Sequence, residues 1–103
     1  MHIVTWTYDV MEGKNREDLI AVLKATARRD GEATGLVRRY AAIDPGSRNV
    51  TEFYVWSSKA AADAYFDMTW DSETSRAWES ARMTREDFEV VNVVQPHHAP
   101  VEA

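Results

Sequence analysis

The chain has 103 residues, 12 basic and 17 acidic, with a net charge of −5 and no cysteine. Two cores in so short a chain would each be too small to bury enough apolar surface, so one domain is expected; the acidic balance repels phosphate backbones and disfavours a nucleic-acid partner. The absence of cysteine excludes disulfides, thiolate nucleophiles and thiolate metal sites. The hydrophobic share of 45% and charged share of 28% are those of a folding domain rather than a disordered one. The opening residues, from Met1 to Trp6, carry neither a basic segment nor a long apolar run, so no signal peptide, no membrane span and a cytoplasmic location are expected.

His2 to Tyr8 is rich in β-branched and aromatic residues, and its alternation puts Val4, Trp6 and Tyr8 on one face of a first strand. Asn15 followed by Asp18 has the pattern of an N-cap with an acid in the first turn. The helix it opens carries Leu19, Ile20, Leu23 and Ala27 at helical spacing and reaches Gly31 as its C-cap. Leu36 to Ile43 and Val50 to Ser57 read as two strands of a hairpin turning at Asp44-Pro45-Gly46-Ser47. Ser57 or Ser58 is expected to cap a helix through Ala61, Ala64, Tyr65 and Met68. After a break near Trp70, Asp71 or Ser72 is expected to cap another through Thr74, Ala77, Trp78 and Ala81. The valine-rich run from Phe88 to Gln95 reads as the last strand, stopped by Pro96, and residues 97–103 as a flexible tail after a domain spanning 1–96.

The order β-α-β-β-α-β is that of an α+β, ferredoxin-like split βαβ with a four-stranded antiparallel sheet covered by helices on one face. The other face also carries large apolar groups, because Phe53 and Val55 alternate with Tyr54 and Trp56. Sheet-to-sheet pairing in a homodimer would bury them.

The stretch from Gly35-Leu36 through the hairpin to Tyr54-Val55-Trp56-Ser57-Ser58-Lys59-Ala60-Ala61-Ala62-Asp63-Ala64-Tyr65 resembles the dimeric α/β-barrel superfamily. The resemblance is to its antibiotic-biosynthesis-monooxygenase and YdhR-type monooxygenase branches, and it spans roughly residues 2 to 95. The strand ending in Trp56, the capping serine and the alanine-rich helix carry it. It implies a cofactor-independent monooxygenase or oxidase of a phenolic or polyketide-like metabolite: the pocket binds the substrate as its anion, and that anion reduces dioxygen. The haem-degrading branch of the superfamily wants an asparagine, a tryptophan and a histidine where a rough alignment puts Trp6, Tyr65 and a position near Ala77 or Trp78, so haem is not implied.

The residues offer no other cofactor. His97 and His98 are adjacent in the tail, where neighbouring side chains point apart, and no HExxH or calcium-loop spacing occurs, so no metal is expected. Gly35 and Gly46 are isolated and form no phosphate-binding loop, and Ser57 and Ser58 read as helix caps rather than nucleophiles. Four tryptophans and four tyrosines remain. Core and dimer packing explains any one of them; together, Trp6, Tyr8, Tyr40, Tyr54, Trp56, Tyr65 and Trp78, with Asn92 as a polar handle, are the candidate lining of a pocket for a small aromatic ligand. Arg38 is the candidate to hold an oxyanion and Glu52 the candidate base, with His2 behind it at the start of the first strand. A cyclase or isomerase, or a ligand-binding dimer without catalysis, would use the same pocket.

Overall fold

The computed structural model describes residues 1–9, 14–45, 49–79 and 82–96. In chain order the elements are β1 (His2–Tyr8), α1 (Arg16–Asp30), β2 (Leu36–Ile43), β3 (Val50–Trp56), α2 (Lys59–Tyr65), α3 (Met68–Trp78) and β4 (Met83–Glu89). The strands form one sheet in the order β2-β3-β1-β4 with every neighbouring pair antiparallel. This is the ferredoxin-like arrangement, with the second helical region in two pieces. No helix among the described residues is long and apolar enough to cross a membrane.

The first helix starts where its polar residues say it should. Asp18 N–H donates to Asn15 Oδ1 at 2.9 Å and Asn15 N–H donates to Asp18 Oδ2 at 3.0 Å, a reciprocal capping box that satisfies two of the donors a helix N-terminus leaves free. At the other end Gly31 stays right-handed, with φ −62°, so it closes α1 without the left-handed geometry for which glycine is usually selected. Gly35 does need to be glycine. Its φ is +85°, and an added Cβ would lie 2.7 Å from Ala61 Cβ and 3.0 Å from Ser57 Oγ. Its carbonyl accepts from Ser57 N–H at 2.8 Å, which ties the start of β2 to the end of β3.

Two element boundaries differ from the sequence expectation. The second helical region breaks at Phe66 rather than near Trp70: α2 is capped by Ser58, and α3 by Asp67, whose Oδ1 accepts from Trp70 N–H at 2.9 Å. Asp71 falls in the first turn of α3, where an acid suits the helix dipole but does not cap. The last strand lies earlier than its valines suggest. β4 pairs with β1 from Tyr8 opposite Met83 to His2 opposite Glu89, so β1 runs out before the valines begin. One further bond, Val90 N–H to Met1 O at 3.1 Å, ends the ladder. The high β propensity of Val91, Val93 and Val94 is outweighed by the lack of a backbone partner, and these side chains stand in solvent. The expected turn at Gly46-Ser47, Ala81 and the tail 97–103 lie outside the described residues.

The core lies between the sheet and the helices. Val4, Trp6 and Tyr8 from β1, Val50, Tyr54 and Trp56 from β3, Leu19 from α1, Ala62 from α2, Phe66, and Trp70 and Trp78 from α3 form one buried cluster. Tyr8 stacks on Trp78 with centroids 5.0 Å apart, a pairing that adds about 0.5–1.5 kcal/mol beyond area burial. The opposite sheet face is uncovered and exposes Tyr40, Phe53 and Phe88.

Candidate functional site

A one-residue bulge decides which arginine enters the interior. β2 pairs regularly with β3 except between Leu36 and Arg38, where the register shifts. The extra residue, Val37, reverses the alternation beyond it: Arg38 pairs with Val55 and Tyr40 with Phe53 on the open face, while Arg39 pairs with Tyr54 and turns inward. Arg38 and Tyr40 therefore do not share a face with Glu52, Tyr54 and Trp56, contrary to the converging pocket expected from strict alternation. They interact with each other instead, Arg38 Nη1 donating to Tyr40 Oη at 3.1 Å.

Arg39 joins two buried carboxylates. Its guanidinium pairs with Glu52 through Nη2 and with Asp30 Oδ2 through Nη1 at 3.2 Å, while its side chain is only 10% exposed and both carboxylates only 2%. Tyr8 Oη donates to Glu52 Oε1. Asp30 accepts from Tyr54 Oη at 2.9 Å, from Tyr65 Oη at 2.5 Å and from Arg29 Nε at 3.3 Å. Burial pushes the Glu52 carboxyl above the ordinary carboxylate range, against the opposing pull of Arg39 and of the Tyr8 hydrogen bond. Burial, reinforced by the charge of Glu52, raises Tyr8 and Tyr54 so far that both remain neutral phenols; burial and the hydrogen bond to Asp30 raise Tyr65 likewise.

Beside this network lies a nest of rings. Phe66, at the α2–α3 break, meets Trp6, Tyr54, Trp56, Tyr65 and Trp70 at centroid distances of 4.7 to 5.6 Å, with the ring planes inclined at 67° to 85°. The indole N–H groups of Trp6, Trp56 and Trp70 are buried with no hydrogen-bond partner among the described residues. An unpaired buried donor costs on the order of 1–3 kcal/mol; the Trp78 N–H, behind Tyr8, is unpaired in the same way, and the other three belong to rings that pack on Phe66.

Of the residues singled out from sequence, Trp6, Tyr54, Trp56 and Tyr65 belong to this nest, and Tyr8 and Glu52 to the polar network beside it. Trp78 is buried behind Tyr8. His2 is elsewhere, its Nε2 2.7 Å from Asp87 Oδ2. Asp87 in turn binds Arg85, and Arg85 binds Asp63, forming a surface chain across β1, β4 and α2. Asn92 is exposed beyond β4 and reaches neither group. Arg39, Asp30 and Phe66 were missed. Asp30 did leave a signal: an acid in the last turn of a helix opposes the helix dipole, so its position called for strong donors from another element. Among the described residues no group of three or more His, Cys, Asp or Glu side chains is placed to hold a metal.

No protein-family model matches the sequence, and no curated protein matches it either. Solved structures do. A candidate antibiotic biosynthesis monooxygenase from Deinococcus radiodurans superposes with a TM-score of 0.71 at 12% identity, covering 95% of this chain and 100% of that one. SnoaB, a cofactor-independent oxygenase from Streptomyces nogalater, gives 0.69 at 12% identity over 92% of this chain and 96% of that one. The monooxygenase ActVA-Orf6 of Streptomyces coelicolor, in complex with nanaomycin D, gives 0.70 at 11% identity over 92% and 91%. Strand order, the helices on one face and these superpositions agree: the chain has the ferredoxin-like α+β fold of the antibiotic-biosynthesis-monooxygenase-like proteins.

Proposed function

We propose that the chain is a cofactor-independent oxygenase acting, as a homodimer, on a small phenolic or polyketide-like aromatic. The observation that carries this reading is the nest around Phe66 with its three indole donors lacking an acceptor. A flat phenolic ring replacing the Phe66 ring keeps the aromatic contacts and gives those donors an oxygen. Phe66 sits between two short helices, so a few backbone rotations at the junction suffice to move its ring aside. The shared fold with a cofactor-independent oxygenase supports the same reading.

In the proposed reaction Glu52 takes the substrate proton, since burial has moved its affinity for a proton towards the range a general base needs. Arg39 holds the resulting oxyanion with its planar fork of donors. The electron-rich anion reduces dioxygen: one oxygen atom forms the new bond to carbon, and the other leaves as water with two hydrogens of the substrate, both from the methylene carbon of an anthrone or one from the ring carbon and one from the hydroxyl of a phenol. Trp6, Tyr54, Trp56, Tyr65 and Trp70 orient the ring, and Tyr8 and Trp78 back Glu52. Arg38, Tyr40 and Asn92 lie outside this chemistry, and His2 serves to clamp β4 to β1 through Asp87. The dimer follows from the uncovered face: Tyr40, Phe53 and Phe88, with the protruding Val91, Val93 and Val94, form an apolar surface that a second copy of the sheet would bury.

The test is oxygen consumption with a panel of hydroquinones and anthrones in metal-free buffer. A rate above the uncatalysed background that falls at least about a hundredfold in Arg39→Gln and Glu52→Gln variants is expected. No rate anywhere in the panel would sink the proposal. Turnover that persists without oxygen would make the protein a cyclase or isomerase instead.

A further inference from the structure

The apolar stripe of α1 is only partly used by the core. Leu19 is buried, but Ile20 and Leu23 are half-exposed and Ala27 is exposed, because the buried face of the helix runs through Leu19, Thr26 and Asp30. Ile20, Leu23 and Ala27 form one wall of a cleft of about 470 Å³ between α1 and β2, and Leu36, Val37 and Ala41 contribute to the other; Leu23 and Leu36 also pack against the edge of the core. No aromatic residue lines it.

Its charge is as distinctive as its walls. Lys24, Arg38 and Arg39 all line the cleft, in a chain whose net charge is −5, although the Arg38 guanidinium turns to Tyr40 on the open sheet face. The one acid in the lining, Asp30, is already engaged by Arg29, Arg39, Tyr54 and Tyr65. Among the described residues no carboxylate forms an ion pair with Lys24 or Arg38. Arg39 is nine-tenths buried and paired with Glu52 as well as Asp30, and its Nε–H has no hydrogen-bond partner among the described residues. A buried guanidinium N–H left unpaired beside an apolar cleft is costly unless an acceptor reaches it, and a carboxylate is the acceptor that matches guanidinium best.

We propose that the α1–β2 cleft is a binding site for an aliphatic carboxylate, the chain lying along Ile20, Leu23, Ala27 and Leu36 and the carboxylate meeting Arg39 and Lys24. The cleft shares Arg39 with the reaction proposed above, but carboxylate binding there does not depend on that reaction. It explains together why this helix face is apolar, why no aromatic joins it, and why Lys24 and Arg39 line the same cleft.

Octanoate and octanol share a chain and differ in charge, so they are the probes, with calorimetric affinity and amide NMR shifts of the whole protein as readouts. Octanoate should bind at least about tenfold more tightly than octanol. Its shifts should centre on the amides of Leu23, Ala27, Gly31, Leu36 and Ala41. In a Lys24→Ala variant, an exposed change that leaves the core intact, the advantage of octanoate should fall to about threefold or less, whereas Arg38→Ala should leave it unchanged. Leu23→Glu should abolish octanoate binding, by filling the cleft with like charge. Equal affinity for the two probes, no binding of either, or shifts centred on Phe53 and Phe88 of the open sheet face would each overturn the proposal. An absence of oxygen consumption would not touch it.

Discussion

Arg39 stands between two carboxylates that are almost sealed from water, and removing it would leave both without their main counter-charge. Breaking one side of a buried ion pair costs about 3–5 kcal/mol, whereas replacing the whole set with apolar groups often costs little. Arg39→Leu and Glu52→Leu should each destabilise by roughly that amount, and the double variant should fall short of the sum by at least about 1 kcal/mol. Urea unfolding of the three variants measures this, and strict additivity would show that the pair is not coupled. Glu52 also predicts a pH signature. Its carboxyl is raised in the fold, so the native state binds a proton more tightly than the unfolded chain, and stability contributed by this group declines as pH climbs from the ordinary carboxylate range through the raised value. A glutamine in its place imitates the protonated acid and cannot lose a proton. The melting temperature of Glu52→Gln relative to the native protein should therefore increase with pH across that window, and a flat difference would argue that Glu52 is not shifted.

At the scale of elements, the junctions carry more information than the elements they join. Gly35 combines a left-handed backbone with a Cβ direction blocked by Ala61 and Ser57, so Gly35→Ala should destabilise by about 1–3 kcal/mol; a thermal melt unchanged by the substitution would contradict the packing of β2 against α2. The break at Phe66 and Asp67 was misplaced from sequence because Asp67, Asp71 and Ser72 are all competent caps. What selects Asp67 is burial. Starting α3 at Met68 puts Trp70, Thr74 and Trp78 on the face that meets the sheet. The bulge at Val37 is a similar case: alternation can be counted from a sequence, but one extra residue turns every later side chain to the other face, and that exchanged Arg38 for Arg39 in the interior.

For the whole molecule, the uncovered sheet face and the valines beyond β4 set the expected state of association. Sedimentation should give a dimer at micromolar concentration, and Phe53→Lys with Phe88→Lys should shift it to monomer without unfolding it. A native protein that sediments as a monomer would contradict the packing of two sheets. On the opposite side the surface chain from His2 through Asp87 and Arg85 to Asp63 and Lys59 ties β1, β4 and α2 together. Hydrogen bonds from Arg85, then from His2, hold Asp87 below the usual carboxylate range, and those from Lys59 and Arg85 do the same for Asp63. This contribution is complete above the ordinary carboxylate range and is lost on acidification through the lowered values.

The strands β1, β2 and β3, the first helix with its capping box and the order that makes the fold ferredoxin-like were legible in the sequence, because local patterning and capping chemistry specify them residue by residue. So was the aromatic character of Trp6, Tyr54, Trp56 and Tyr65, though not their arrangement around Phe66. The extent of β4 was settled only by where β1 ends, since a strand needs a backbone partner and valines cannot supply one. The identity of the buried arginine was settled only by the bulge, and the partnership of Asp30 with Glu52 only by the approach of α1 to β2 and β3. Periodicity reports which side chains share a face; which faces meet, and which polar groups must then find each other away from water, is decided when the chain packs.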